Sequence, residues 1–118
     1  MQIGTSILLI AVGAVLKYAV TATVSDSIAV HNGAMGFYVQ AATTQATLSL
    51  VHSVAANNVI GIRADQTGAT LRVSQSAITG NTGYGFAALS GGVVASYQDN
   101  YIDGNAANAG PLTPISRQ

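Results

Sequence analysis

Four asparagines recur along the chain at nearly constant intervals, and this repeat constrains the fold more than any other feature. Asn32, Asn58, Asn81 and Asn105 are separated by 26, 23 and 24 residues. The residues that precede each asparagine recur with it. A period of this length is too short for two helices and a turn, but it fits one coil of a solenoid. The sequence therefore predicts a stack of similar coils.

Apolar residues stand two positions apart in each copy of the repeat. Residues two apart on a β-strand face the same side, so both positions are predicted to point inward. With the asparagines aligned, the two inward columns are Ala22, Leu48, Leu71 and Ala95, and Val24, Leu50, Val73 and Tyr97. A further strand of each coil is predicted to open at Gly36-Phe37, Gly61-Ile62 and Gly85-Phe86, with Val39, Ala64 and Ala88 as inward partners.

Small polar residues form another column, which consists of Ser27, Ser53, Ser76 and Asn100. At a partly buried turn such side chains can hydrogen-bond the coils above and below, so we expect a ladder there. The recurring asparagines are predicted to mark the next bend, because asparagine tolerates a left-handed backbone. Thr67-Gly68 and Gly91-Gly92 are predicted to close the coils.

Three short strands per coil, stacked in register, predict an all-β fold. We expect a single-stranded, right-handed parallel β-helix of about four coils across residues 22–118, with a rise of only about 19 Å. Residues 105–115 break the repeat, and Pro111 and Pro114 cannot donate ladder hydrogen bonds. This tail is predicted to cap the last coil with Leu112 and Ile115 as plugs; the alternative is a frayed tail.

The repeats also carry a family resemblance. From about residue 22 to residue 118 the sequence resembles the carboxy-terminal coils of bacterial right-handed parallel β-helix repeat proteins, which have the pectate-lyase-like superfold. The segments that carry the resemblance are GATLRVSQSAITGN (residues 68–81), GGVVASYQDNYIDGN (residues 91–105) and AGPLTPI (residues 109–115). The resemblance implies the fold and a secreted or cell-envelope protein, but the fold hosts many functions.

Residues 1–21 are of a different kind. Residues 1–16 carry no charged side chain, and the apolar run at residues 7–16 is shorter than the ~20 residues that span a bilayer. Three interpretations stay open: a signal peptide without a basic n-region, a membrane anchor through residues 1–20 with Lys17 at the interface, or a helical cap on the first coil. The first 24 residues also resemble the first helix of small two-helix bacterial membrane proteins.

The cap interpretation follows from how solenoids end. A terminal coil must hide both its core and its unpaired strand edges. If nothing covered the first coil, we would expect end-to-end self-association of the chain through that coil.

Charge and composition argue against nucleic acid as a partner and against cysteine-based sites. Only 7% of the residues are charged and the net charge is zero. The basic residues Lys17, Arg63, Arg72 and Arg117 are scattered, so nucleic acid is not an expected partner. The chain has no cysteine, which excludes disulfides and thiolate metal sites.

The acidic residues do not form a catalytic pattern. Acid–base cleavage of a sugar bond needs two carboxyl groups within reach of that bond. Asp26 and Asp99 share a column, but three coils, or about 14 Å, would separate them. Asp99 and Asp103 share a coil without a basic neighbour, and the fourth acid is Asp65. We therefore predict no enzyme activity and no catalytic, cofactor-binding or metal-binding residues.

Two other side-chain types suggest weaker hypotheses. His52 lies between Asp26 and Gln75 in their column, and it fits a hydrogen-bonded filler better than a proton shuttle or metal ligand. Tyr84 and Tyr101 offer faces on which a sugar could stack, whereas Tyr97 is predicted to be core.

Two classes of function fit these features. The first is a non-catalytic structural or binding β-helix, exported or envelope-associated, with a carbohydrate or cell-surface component as its partner. The second is a partial or degenerate carbohydrate-active enzyme whose catalytic coils lie in a longer parent protein. In the second case the chain would be a fragment or a fusion.

Overall fold

A computed structural model of the protein describes residues 20–116, which form thirteen short β-strands. The first sheet contains β1 (Val20–Ser25), β4 (Ala46–Val51), β7 (Ala69–Ser74), β10 (Val93–Ser96) and β13 (Leu112–Pro114). The second sheet contains β2 (Ile28–Val30), β5 (Val54–Ala56), β8 (Ala77–Thr79) and β11 (Tyr101–Asp103). The third sheet contains β3 (Met35–Gln40), β6 (Ile60–Asp65), β9 (Tyr84–Leu89) and β12 (Ala107–Ala109).

The chain visits the three sheets in turn, so that three consecutive strands make one coil. Every strand pair is parallel, and each strand pairs with the equivalent strand of the next coil. The predicted all-β fold, a parallel β-helix of about four coils, is confirmed. The stacking leaves one central core, which the inward-facing side chains of all three sheets fill.

The predicted inward columns are correct for the first three coils. In the first sheet, Leu48 pairs with both Ala22 and Leu71, and Leu50 pairs with both Val24 and Val73. In the third sheet the two inward rows also match, and they consist of Phe37, Ile62 and Phe86, and of Val39, Ala64 and Ala88. The repeat in the sequence thus gives the core of these coils position by position.

The fourth coil is shifted by one residue from the prediction. Val94, and not Ala95, pairs with Leu71, while Ser96, and not Tyr97, pairs with Val73. The corner between β9 and β10 is one residue shorter than the equivalent corner before β7, and the turn after β10 is one residue longer. The two changes cancel, so an alignment of the coils on their asparagines does not reveal the shift in β10.

Ser96 places a polar hydroxyl in this core column, where hydrogen bonds satisfy it. Its Oγ accepts hydrogen bonds from the Gln98 N–H at 3.0 Å and from the Asn100 side chain at 3.0 Å. The serine therefore braces the longer turn. Tyr97 lies outside β10 and is half-buried, so it does not hold the core position that the sequence predicted.

The predicted serine ladder is confirmed. The N–H of Ser27 donates to Ser53 Oγ at 3.1 Å, and the N–H of Ser53 donates to Ser76 Oγ at 3.1 Å. The N–H of Ser76 donates in turn to Asn100 Oδ1 at 2.9 Å. Each serine hydroxyl also donates to the carbonyl two residues before it, so these buried groups are satisfied.

The asparagines form a second ladder. The N–H groups of Asn32, Asn58 and Asn81 each donate to the side-chain oxygen of the asparagine in the next coil, at 2.9–3.0 Å. The expectation of a left-handed backbone at these asparagines is wrong. The positive φ angles lie one residue earlier, at His31, Asn57, Gly80 and Gly104. The preceding residue makes the bend because the asparagine must direct its side chain into the stack.

The two ladders are the same distance apart in every coil. Ser27 and Asn32, Ser53 and Asn58, Ser76 and Asn81, and Asn100 and Asn105 are each five residues apart. The strands of the second sheet lie in this interval. All variation in coil length therefore falls in the other two thirds of the coil, as at residues 41–45, where the first corner is longest.

The tail continues the solenoid, which corrects the prediction that it would fold across the last coil. β13 pairs with β10 as a fifth strand of the first sheet and includes Pro114. Proline is tolerated there because β13 is an edge strand, where main-chain N–H groups that face away from the sheet need no partner. Leu112 pairs with Val94 and packs against the core, and Ile115 is half-buried.

The interpretations of residues 1–21 as cap, anchor or signal, and the resemblance of the first 24 residues to a membrane-protein helix, fall mainly on residues 1–19, which lie outside the described residues. Val20 and Thr21 belong to β1. Within residues 20–116 no helix is long and apolar enough to cross a membrane.

A charge placed in the core column should abolish folding. Leu71 is fully buried in the central coil, and an unpaired carboxylate there costs at least about 5 kcal/mol, comparable with the whole stability of a small domain. We expect Leu71→Asp to lose the β-sheet signal in its circular dichroism spectrum and its thermal unfolding transition. Arg72→Asp is the matched control at the exposed neighbouring position. If both variants melted like the parent chain, the assignment of this column would be wrong.

Removing the side chain of a ladder asparagine should lower the stability of the fold, whereas replacing an exposed residue at the corresponding bend should not. Asn81→Ala leaves the Asn58 N–H and the Ala55 carbonyl without their partners, at about 1–3 kcal/mol for each buried group. Asn57→Gly alters an exposed residue with φ 57°, a backbone angle that glycine adopts freely. Chemical denaturation should show a loss of about 2–6 kcal/mol for the first variant and under about 1 kcal/mol for the second. Equal losses would contradict the ladder.

Candidate functional site

A column of polar side chains faces solvent at the turns between the first and second sheets. Asp26, His52 and Gln75 have φ angles of 51°, 53° and 48° and stand directly before the ladder serines. The left-handed backbone bends the chain at these residues. In the fourth coil Asp99 extends the column, because its Oδ1 accepts the Gln75 N–H at 3.1 Å. The ladder thus stacks four outward polar residues along one edge of the solenoid.

The first two members of this column are in contact. His52 Nδ1 lies 2.8 Å from Asp26 Oδ1, and the two side chains are 71% and 70% exposed. A side-chain contact this exposed contributes about 0–1 kcal/mol at most. The contact fits the hypothesis of a hydrogen-bonded filler, and it leaves both side chains open to a ligand.

A second column runs beside the polar one, on the outer face of the second sheet. Its members pair in register, and they are Ile28, Val54, Ala77 and Tyr101. Ile28 and Tyr101 are 64% and 60% exposed. The Tyr101 hydroxyl donates to Asp103 Oδ2 at 3.3 Å, which helps to orient the ring. Ligand-binding clefts combine apolar side chains with a few polar groups, and the two rows together supply both kinds.

The two columns enclose an open groove of about 400 Å³. One wall is formed by His52, Gln75 and Asp99, and the other by Val54, Ala77 and Tyr101. The floor is formed by Ser53 and Ser76, which belong to the buried serine ladder. The ladder hydrogen bonds hold the floor in register across the three coils that the groove spans.

The four aspartates all have partners in the solenoid. Asp26 contacts His52, Asp99 accepts the Gln75 N–H, and Asp103 accepts the Tyr101 hydroxyl. Asp65 lies in the third sheet, away from the groove, 2.7 Å from the Arg63 guanidinium. Asp26 and Asp99 stand at the two ends of the polar column, Asp103 lies on β11, and Asp65 lies on β6.

The sequence interpretation missed the cluster around Arg63. The guanidinium lies over the Tyr38 ring, 5.3 Å from its centroid, and also bonds the buried Asp65. Burial raises the pKa of the Tyr38 hydroxyl, with Arg63 opposing and Asp65 adding to the increase. Two signals in the sequence could have revealed the cluster: Arg63 and Asp65 stand two apart on one strand, and Tyr38 is the partner of Arg63 in the coil before. The cluster braces the outer face of the third sheet.

The three tyrosines of the repeat differ in exposure and in position relative to the groove. Tyr101 is exposed and lines the groove, whereas Tyr84 is exposed at 39% on the third sheet and Tyr97 is half-buried. Of the three, Tyr101 is therefore the residue placed to contact a ligand in the groove. Within the part of the chain that the structure describes, no three histidine, aspartate or glutamate side chains come together as they would around a metal ion.

Comparison of the chain with protein-family models, with curated proteins and with solved structures gives no match. The class of protein is therefore defined by the fold and the surface alone: a parallel β-solenoid with buried serine and asparagine ladders and an open groove along one edge.

Proposed function

We propose that the protein is a non-catalytic binding β-helix whose groove takes a carbohydrate or a carbohydrate-like component of a cell surface. The observation that carries the proposal is the pairing of a polar column with an exposed apolar column above a floor fixed by the serine ladder. A sugar presents the same two chemistries, hydroxyl groups at its edge and apolar C–H groups on its faces. Gln75, His52 and Asp99 suit the hydroxyls, and the Tyr101 ring suits a face.

The geometry of the groove also favours an extended ligand. The walls repeat at the spacing of adjacent strands, about 4.8 Å, and they run along the solenoid axis across three coils. Such a surface offers one polar and one outward-facing position at each step, so its length suits a chain of linked units better than a compact molecule. The groove is open, which is consistent with binding along the side of a long chain.

The hydrogen bonds and the spacing of the aspartates support a non-catalytic role. Retaining glycosidases need two carboxyl groups about 5–5.5 Å apart, and inverting ones about 6.5–9.5 Å apart, on either side of the bond. Asp26 and Asp99 stand three coils from each other in the polar column, about 14 Å by the strand spacing.

The setting of the protein is part of the same proposal. The resemblance to pectate-lyase-like β-helix proteins of bacteria supports a secreted or envelope-associated protein that meets polysaccharide. The alternative is a partial carbohydrate-active enzyme that lacks its catalytic coils. It is favoured by the position of Asp99, whose carboxylate stands in the wall of the groove.

Removing the exposed ring should weaken binding. A panel of cello-, xylo-, manno- and chito-oligosaccharides and oligogalacturonides would be titrated into labelled protein and followed by NMR. We expect shifts at Gln75, Ser76 and Tyr101 with at least one member. Tyr101→Ala should lower that affinity about tenfold, the loss of about 1.4 kcal/mol, without lowering the melting temperature.

Tyr84→Ala is the matched control, because it removes an exposed tyrosine outside the groove. It should bind like the parent chain. The proposal fails if no member of the panel shifts the groove residues, or if both tyrosine variants lose affinity equally.

The protein should not cleave acidic polysaccharides. We expect no release of unsaturated or reducing sugars from pectin-like substrates, with or without added calcium, because the aspartates do not converge on one bond. Ultraviolet absorbance and reducing-end assays would measure this. Calcium-dependent release that disappears in Asp99→Asn or Asp103→Asn would instead support the alternative of an enzyme.

A further inference from the structure

The first asparagine of the ladder differs from the other three in its exposure. Asn32 is exposed, whereas Asn58 and Asn81 are each 1% exposed and Asn105 is half-buried. It is also the only one of the four that a glycine follows, at Gly33. A side-chain amide before a glycine can react with the main chain, because glycine has no Cβ to hinder the attack of its nitrogen on the amide carbon.

The amide of Asn32 is held less firmly than those of the later coils. In Asn81, for example, Oδ1 accepts the Asn58 N–H at 2.9 Å, and Nδ2 donates to the Ala55 carbonyl at 3.1 Å. The Asn32 Nδ2 donates only to Asn58 Oδ1, at 2.9 Å, and within residues 20–116 no donor reaches the Asn32 Oδ1. The side chain can therefore turn towards the main chain when one hydrogen bond breaks.

The main-chain nitrogen that would attack is also accessible at this position. In the third coil the corresponding nitrogen is that of Thr82, which donates to the Asn58 carbonyl at 2.8 Å. In the fourth coil the Ala106 N–H donates to the Asn81 carbonyl at 3.0 Å. The Gly33 N–H has no main-chain acceptor among the described residues, and a Cβ added at Gly33 would meet no atom within 4 Å. The space that ring closure needs is open.

We propose that Asn32 is a site of spontaneous deamidation. The Gly33 nitrogen loses its proton to hydroxide and bonds to Asn32 Cγ, the Cγ–Nδ2 bond breaks, and the amide nitrogen takes a proton from water and leaves as ammonia. The product is a succinimide ring, which water opens. Cleavage of the bond from Cγ to the Gly33 nitrogen gives aspartate, and cleavage of the bond from the main-chain carbonyl carbon to that nitrogen gives isoaspartate. The net reaction consumes one water and releases one ammonia.

The reaction changes this end of the asparagine ladder. The oxygen that replaces Nδ2 is an acceptor and faces Asn58 Oδ1, so two acceptors meet where a donor met an acceptor. Isoaspartate also adds a methylene group to the main chain in the turn between β2 and β3. A chain of net charge zero gains one negative charge. Deamidation is therefore expected to loosen β2, while the groove, which the three later coils line, keeps its side chains.

The test follows the full chain during incubation at physiological temperature and mildly alkaline pH, by peptide mass mapping and ion-exchange chromatography. Asn32 should convert at least about tenfold faster than Asn81, because a buried asparagine reacts only after local opening. Asn57 is the exposed internal control, since the N–H of the residue after it donates to Asn81 Oδ1. Conversion of Asn57 or Asn81 ahead of Asn32 would overturn the proposal.

Gly33→Ala is the matched variant. The φ angle of Gly33 is not positive and its surroundings are open, so alanine keeps the fold. The added methyl group should slow conversion of Asn32 about tenfold, because it hinders ring closure. An unchanged rate in this variant would show that the Gly33 nitrogen is not the attacking group, and the proposal would fail.

The effect on the ladder has its own variant, Asn32→Asp. It should elute with the acidic form that accumulates in the parent chain, and its hydrogen exchange should be faster in β2 and unchanged in β8. Exchange in β2 equal to that of the parent chain would contradict the proposed loosening of the first coil.

Discussion

The hydrogen bonds between coils at the two turns hold the rest of this structure in place. A turn removes a main-chain N–H from strand pairing, and leaving that group buried and unpaired costs about 1–3 kcal/mol. Ser53, Ser76 and Asn100 provide the acceptor at one turn, and the recurring asparagines provide it at the other. Because each acceptor must lie directly below its donor, the turns stack in register. The strands between them, the core columns and the floor of the groove follow from that register.

The surface of the groove is less constrained than the fold beneath it. At Asp26, His52 and Gln75 the left-handed backbone makes the turn, while the following serine makes the ladder bond. The side chains at these positions face solvent and have no packing role. Their chemistry can therefore change without changing the solenoid, which is why such a fold accepts many functions. In this chain these three positions hold an acid, an imidazole and an amide in a row.

The repeat predicted the architecture and most of the core, because both depend on positions that recur. It missed what depends on the lengths of individual corners: the shift from Ala95 to Val94 follows from one shorter corner and one longer turn that cancel. The tail was misjudged because Pro114 was weighed as a residue within a sheet and not at its edge. The groove could be predicted only in part. Its polar column was visible, but the exposure of Tyr101 depends on which residues flank it in space.

The constant interval of five residues between the ladders has a consequence for how such chains change in length. One residue inserted there would move one ladder out of line with its neighbours, whereas the corners already differ in length from coil to coil. A whole coil, by contrast, brings its own donor and acceptor at both turns. Duplicating or losing 23–26 residues at once therefore preserves the pattern of coil-to-coil bonds, and the coil is the unit by which this molecule can lengthen or shorten.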